Sequence, residues 1–333
     1  MDISALNALT KWHVKHCKPY RNFISTFFAA EVGQTLADIP FLPVRAFKEF
    51  ELRSVPEENI FKTMTSSGTS GQFSQIFLDK ETAQMQSRAL IDIFGKTFSS
   101  HRFPMLIMDT ESTVKDRQKF SARTTAINGF SLFSRERCFA LNNDLTLNLE
   151  RVRSFVEAQD GKPIFIFGFT FMVWKYFIEP LRMQSHFLKL ENSFLLHGGG
   201  WKKMEAERVS ADKFRSVIKD VTGCQVVRNY YGMVEQAGTI FMECAHGNLH
   251  AADNSDVIIR DPETHVPLPH GVRGLVQVFS GIQKSYPGHS LLTEDIGVTQ
   301  PAHSCPCGHQ GTVIEIYGRL KKAEVRGCSD AYT

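Results

Sequence analysis

The 333-residue sequence predicts an α/β fold, layered from mostly parallel sheet and helices with a small β-rich subregion after residue 241. Three observations predict it. Short apolar runs at 105–108, 164–167, 194–196 and 226–228 alternate with helical periodicities at 80–94, 145–156, 172–183 and 202–219. The alternation then gives way to strand patterns broken by turns, at 248–253, 256–260 and 274–280, with Pro267-Leu268-Pro269 between two of them. The first fifty residues instead carry apolar positions at spacings of three and four across 20–32, which predicts helix ahead of the sheet.

Composition narrows the function classes. At 42% hydrophobic and 22% charged, the chain has enough apolar material for a proper core. A formal net charge of only +3, without runs of like charge, argues against nucleic acid or an anionic membrane surface as partner. The most apolar stretch, 163–174, is too short to span a bilayer. Met1-Asp2-Ile3-Ser4 has no basic segment followed by an apolar one, and seven cysteines do not make a secreted disulfide framework, so the expected compartment is the cytoplasm.

The sharpest local signal is Thr63-Met64-Thr65-Ser66-Ser67-Gly68-Thr69-Ser70-Gly71. Hydroxyls and glycines at this density make a loop whose N–H and O–H groups can converge on phosphate oxygens. The lysine-serine ending of a Walker loop is missing. A flexible polar linker is the plain alternative.

Further fragments follow in order. Asn229-Tyr230-Tyr231-Gly232-Met233-Val234-Glu235 resembles the YGxTE motif of the adenylate-forming superfamily, and the loop above resembles that superfamily's phosphate-binding signature. Thr293-Glu294-Asp295 resembles its TGD motif and Gly318-Arg319 its hinge motif. Val234 and Glu294 depart from the usual threonine and glycine, the first removing a hydroxyl that would face the adenylate phosphate. With His197-Gly198-Gly199-Gly200-Trp201-Lys202, Cys17-Lys18-Pro19-Tyr20-Arg21 and Arg326-Gly327-Cys328-Ser329, the whole chain is similar to the LuxE-type acyl-protein synthetases, also called long-chain-fatty-acid–luciferin-component ligases.

The resemblance implies the N-terminal-domain fold of adenylate-forming enzymes, with the C-terminal domain absent or reduced to a short tail. It divides the chain into an adenylating core, 1–316, whose β-rich part is about 241–312, and a hinge remnant and tail, 317–333. It implies ATP and Mg²⁺, with Thr65, Ser66, Ser67, Gly68, Thr69, Ser70 and Gly71 at the phosphates. Tyr231 and Gly232 then meet adenine, Glu235 the Mg²⁺ and Asp295 the ribose. A fatty or other carboxylic acid would become acyl-AMP and then a thioester on Cys328, for delivery to an acyl reductase or acyl carrier protein. The superfamily's C-terminal lysine lies beyond this pattern, and Arg319, Lys321 or Lys322 is the expected substitute.

Three groups carry competing readings. Gly199 and its neighbours would let backbone approach nucleotide or acyl carboxylate, with Lys202 as a cation; a tight turn with a surface lysine fits equally. The same HGGG run matches a lipase oxyanion loop, but no GxSxG elbow accompanies it. Cys244, His250, Cys305 and Cys307 suit a closed tetrahedral zinc site, against the alternative of buried free thiols. Cys328, beside Arg326, is placed to be a thiolate nucleophile; a terminal cysteine without function fits the same position. Alternate phenylalanines from Phe165 to Phe171 read as a buried strand in preference to an acyl channel. The final acceptor stays open between Cys328, a pantetheine thiol, CoA and a small amine. Rival functions are a phenylacetate-type CoA ligase and a nucleotide-binding scaffold without activity.

Overall fold

A computed structural model describes residues 1–66, 73–115, 121–201 and 207–320. Packing divides the chain into two units, Phe94–Tyr231 and the pair of segments Met1–Ile93 and Gly232–Thr333.

The central unit, 94–231, is a parallel sheet. Strand Phe103–Thr110 lies between Ser134–Leu141 and Phe165–Phe169; Phe194–Gly198 and Val226–Tyr231 then follow in order. Strand Phe165–Phe169 is buried at every position, as a parallel strand covered on both faces must be. Its phenylalanines are core. Phe165 stacks on Phe194 with centroids 5.2 Å apart, and Phe167 lies 4.6 Å from Phe130. Phe94 stacks on Phe133 at 3.7 Å, closing an aromatic layer over the sheet.

The helices of this unit start where side chains cap them. Asn148 accepts from the Arg151 N–H, so the helix is Leu149–Glu157 and not 145–156; Leu145, with φ of 65°, belongs to the preceding turn. Ser210 likewise caps Ala211–Thr222; of the helix expected at 202–219, residues 202–206 lie outside the described residues and 208–210 precede this helix. Gly223, at φ 72°, ends it. The segment expected as helix at 172–183 runs Thr170–Val173, then a π-helical turn Trp174–Ile178, then Glu179–Met183 with Pro180 in its first turn.

The outer unit, 1–93 with 232–320, is largely antiparallel. Helices Ile3–His16 and Lys18–Phe27 lead; the second stops at Phe27, short of the expected 32. A hairpin pairs Lys62–Thr65 with Gln75–Leu78. Helix Lys80–Thr97 follows, its last turn counted with the other unit. The ladder then runs Pro267–Leu268, Ser255–Arg260, Gly274–Ser280, Ser290–Gln300, Val313–Arg319, Leu249–His250 and Phe241–Glu243. The β-rich subregion read from the sequence is thus the larger part of this sheet, and its two longest-range strands, Ser290–Gln300 and Val313–Arg319, were not expected. Leu6, Ile39 and Phe279 make one patch of core, Phe41, Leu275 and Leu292 another. Arg260 ties the two together. Its guanidinium donates to the Ala37 carbonyl at 2.6 Å, the His265 carbonyl at 2.8 Å and the Gln277 side chain, and lies 4.8 Å from the Phe41 ring. Among the described residues no helix is long and apolar enough to cross a membrane.

Two histidines are buried completely in this unit. The Thr10 hydroxyl donates to the Leu6 carbonyl, so His289 Nε2–H must donate to Thr10, at 2.8 Å, and Nδ1 is the unprotonated nitrogen. His13 donates through Nε2 to the Gln283 carbonyl at 3.0 Å and accepts at Nδ1 from Ser54 at 2.7 Å. Burial lowers both pKa values, that of His289 to about 3. The unfolded chain therefore binds more protons than the folded one below about pH 6.5. Stability is fully present above that pH and falls as pH drops, by at most about 1.4 kcal/mol per pH unit per histidine. Urea titrations between pH 7.5 and 5 should show this fall, and His289→Gln should remove part of its slope. A variant profile parallel to wild type would refute the assignment.

Candidate active site

In the central unit the parallel register decides which residues share an edge. Phe169, Gly198 and Tyr230 stand in one row across neighbouring strands. Gly199 and Tyr231, one residue further, leave the sheet at its C-terminal edge, where α/β sheets place their ligands. The glycines there do different things. A side chain at Gly198 would meet the Tyr230 ring at 2.6 Å; at Gly199, with φ of 78°, it would meet Phe169 at 2.4 Å. Gly200, at φ 64°, has open space and is held to glycine by its backbone alone. Trp201 anchors the turn, buried edge-on against Trp174 and Phe214 at 5.8 and 6.2 Å. His197 is buried behind it and donates to Thr170 at 2.9 Å. Desolvation, with some repulsion from Arg215, lowers its pKa to about 3, so it is a neutral structural residue.

The sequence reading passed over a buried ion pair at the same edge. Asp109, near the end of strand Phe103–Thr110, receives Arg123 through Nε at 2.9 Å and through a second guanidinium nitrogen that also donates to Thr113 at 3.0 Å. Both side chains are buried. The pair joins helix Ser112–Lys115 to helix Ala122–Phe130. Fourteen residues of separation left no local signal for it.

In the outer unit, Thr65 ends its hairpin strand opposite Gln75. Ser66 closes the base of the glycine loop: its N–H donates to the Ser74 carbonyl at 3.1 Å, and its hydroxyl accepts the Ser74 N–H at 3.0 Å. Ser67, Gly68, Thr69, Ser70 and Gly71 lie outside the described residues, as do Lys202, Lys321, Lys322 and Cys328. Gly232 packs so closely that a side chain there would meet Ile240 at 2.9 Å. Glu235 is buried in a 3₁₀ turn, Val234–Gln236. That turn is fixed by Gln236, whose side chain donates to the Val278 and Gly288 carbonyls at 3.2 and 2.8 Å.

Asp295 and Arg319 are brought together. They face each other in the ladder, and the guanidinium Nε lies 3.5 Å from the carboxylate. Thr293 sets the approach, donating to the Val276 carbonyl at 2.8 Å and accepting the Asp295 N–H at 3.1 Å. The cluster of Cys244, His250, Cys305 and Cys307 is also assembled, its four ligand atoms within 4.8 Å of one another.

The remaining described cysteines are poor nucleophiles. Burial raises the pKa of Cys17, and that of Cys138 and Cys224 to about 11. Of seven cysteines in the sequence, three are thus buried and protonated and three are clustered, which leaves Cys328.

Comparison with known proteins follows the same lines. The family model for acyl-protein synthetases, LuxE, matches residues 2–333. The long-chain-fatty-acid–luciferin-component ligases of Vibrio harveyi and Aliivibrio fischeri are each 24% identical, over 96% of this chain and 84% of their own length. Among solved structures, 2-hydroxyisobutyryl-CoA ligase in complex with 2-HIB-AMP and CoA superposes with a TM-score of 0.74 at 15% identity, covering 96% of this chain and 74% of that one. ATP-bound MatB from Rhodopseudomonas palustris does so at 0.52 and 17%, covering 80% and 49%. At these identities the structures carry the fold alone, that of adenylate-forming ligases.

The edge glycines give a prediction. Gly199→Ala combines a positive φ with a clash on an aromatic ring, whereas Gly200→Ala meets only the backbone term. Gly199→Ala should destabilise by about 2–4 kcal/mol and Gly200→Ala by about 1 kcal/mol in chemical denaturation. Equal losses would show that the Phe169 contact does not constrain the turn.

Proposed function

We propose, for a chain that belongs to the LuxE acyl-protein synthetase family and is an acyl-adenylate-forming ligase, that its acid is a fatty acid and that Cys328 receives the acyl group. The observation that carries the second part concerns the six described cysteines: Cys17, Cys138 and Cys224 are buried with raised pKa values, and Cys244, Cys305 and Cys307 are gathered into the Cys/His cluster, so the nucleophile is sought at the seventh, Cys328.

Each residue then has a part. The loop from Thr65 through Gly71 offers N–H and O–H donors to the triphosphate, with Ser66 pinning its base. Asp295 accepts from the ribose hydroxyls, and Arg319, already paired with it at 3.5 Å, holds that carboxylate in place. Tyr231 and Gly232 take the adenine, and Gly199 leaves backbone room for the acyl carboxylate. Lys202 supplies positive charge to the reacting groups. Glu235 is a hard oxygen donor of the kind Mg²⁺ prefers, and when bound that ion would offset charge on the phosphates.

In the first step a carboxylate oxygen attacks the α-phosphorus of ATP, the bond to the β-phosphate oxygen breaks, and pyrophosphate leaves. In the second the Cys328 thiolate attacks the acyl carbon, the mixed-anhydride C–O bond breaks, and AMP departs with that oxygen. The rates of both depend on positioning and on cations opposing the charge that develops. The thioester is a form fit for delivery to a reductase or carrier protein. On this reading 1–316 form the adenylating core, and 317–333 carry the hinge motif and the acyl-bearing Cys328.

Carboxylate-dependent ATP–pyrophosphate exchange over aliphatic and aromatic acids tests the proposal, together with mass spectrometry of the intact protein. Fatty acids should support exchange and add one acyl group, and Cys328→Ser should abolish the adduct while retaining exchange. Asp295→Asn should raise the KM for ATP about tenfold or more, through loss of charged hydrogen bonds. Exchange confined to aromatic acids with CoA as acceptor would replace this reading with the CoA ligase. ATP binding without exchange for any acid would leave a scaffold.

A further inference from the structure

Four side chains in the outer unit take no part in the proposed reaction. Strands Phe241–Glu243 and Leu249–His250 pair antiparallel, and the turn between them is closed by the Cys244 N–H on the Asn248 carbonyl at 2.9 Å and the Gly247 N–H on the Cys244 carbonyl at 3.1 Å. This hairpin presents Cys244 and His250. A second loop, through the 3₁₀ turn Ala302–Ser304, presents Cys305 and Cys307. We propose that these four residues bind one zinc ion in a closed Cys₃His site, and that the ion holds the loop that starts strand Val313–Arg319.

The spacing of the ligand atoms is that of a coordination shell. Ligands about 2.3 Å from a tetrahedral centre stand about 3.8 Å apart along each edge. The Sγ atoms of Cys244 and Cys305 are 3.7 Å apart, and Cys307 Sγ lies 3.3 Å from His250 Nε2. A disulfide would need about 2.05 Å. The surroundings complete the argument. His250 Nδ1–H donates to the Gly311 carbonyl at 3.1 Å, which leaves Nε2 as the basic nitrogen and fixes its direction. Every sulfur accepts a hydrogen bond: Cys244 from the His246 N–H at 3.3 Å, Cys305 from the Asn248 side chain at 3.2 Å, Cys307 from the His309 N–H at 3.4 Å. Such donors offset the excess negative charge of three thiolates around a divalent ion. Soft sulfur ligands select zinc over magnesium, and four protein ligands leave no open position, so the site is structural.

The loop is packed closely where it enters the strand. A side chain at Gly311 would come within 1.9 Å of the Ala251 carbonyl oxygen, and the Ala251 N–H donates to the Thr312 carbonyl at 2.9 Å. Val313, next in sequence, pairs with His250 on one side and with Gln300 on the other. A metal ligand and the first residue of the strand carrying Arg319 are thus direct neighbours. Cys244 and Cys305 are 61 positions apart in sequence, a long loop whose closure by an ion restrains the unfolded chain considerably. Where this touches nucleotide binding it rests on the roles given above to Asp295 and Arg319.

Metal analysis of the purified full chain should find about one zinc per molecule, and Cys305→Ser with Cys307→Ser should lower it at least tenfold. Cobalt exchanged into the wild-type protein should give the intense visible bands of tetrahedral sulfur coordination. Stripping the metal should lower Tm by more than about 5 °C, restored by zinc and not by magnesium. It should also weaken ATP binding several-fold. A wild-type protein that takes up no stoichiometric zinc, a pale octahedral cobalt spectrum, or a Cys244–Cys305 disulfide found by peptide mapping would each overturn the site. Unchanged ATP affinity after stripping would overturn the link to the strand. If ATP fails to bind with zinc present and the metal readouts hold, the assignment of Asp295 and Arg319 fails and the zinc site stands.

Discussion

The antiparallel ladder between Ser290–Gln300 and Val313–Arg319 is the constraint on which the outer unit depends. Side chains alternate between the two faces of a strand, so slipping Val313–Arg319 by one residue would turn Arg319 away from Asp295 and invert the buried set of that strand. The register is fixed at both ends. Near one end Thr293 bonds to the neighbouring strand and to the Asp295 N–H, and the Leu320 N–H on the Glu294 carbonyl extends the pairing past Arg319. At the other, Val313 is shared between Gln300 and His250. The irregularity between Ile296 and Gly297 sits beside the pair that matters, and Gly297 accommodates it, since a side chain there would meet the Glu315 carbonyl at 2.7 Å. One ladder therefore connects a Cys/His cluster, a carboxylate and a guanidinium.

The central unit solves a different problem. Its strands are parallel, and the inner ones, Phe165–Phe169 and Phe194–Gly198, are covered on both faces and buried at every position, with the aromatic layer from Phe94 to Phe194 supplying the burial. Polar chemistry is pushed to the strand ends. There Gly199 and Tyr231 emerge on one edge, and the Asp109–Arg123 pair braces the two helices after strand Phe103–Thr110. A buried pair of this kind is costly to break singly, by about 3–5 kcal/mol, which suits a brace better than a reacting group.

Much of this was legible in the sequence because burial writes a simple pattern. The apolar runs before Phe167, Leu196 and Arg228 all became parallel strands, and Gly274–Ser280 matched its expected limits. Strand Ser134–Leu141 was missed because it enters through exposed Arg135, Glu136 and Arg137, as an edge position allows. Ser290–Gln300 was missed because its polar centre, Thr293-Glu294-Asp295, reads as a motif and hides the strand around it. Helix starts were misjudged wherever apolar periodicity ran past a capping residue, as at Asn148 and Ser210. Asp295, Arg319 and the four Cys/His residues were singled out from short motifs, yet only the fold shows that Asp295 lies beside Arg319 and that the four side chains gather in one cluster. Asp109 and Arg123 carried no motif at all.

The central claim is that the chain activates a carboxylate by joining it to AMP, and the fate of one oxygen atom tests it most directly. A fatty acid labelled with ¹⁸O in its carboxylate is incubated with ATP, Mg²⁺ and the wild-type protein, hydroxylamine is added to accept the acyl group, and the AMP is examined by mass spectrometry. Attack by the carboxylate on the α-phosphorus predicts one ¹⁸O atom transferred to each AMP released. Unlabelled AMP, or ADP and phosphate as the products, would contradict the account.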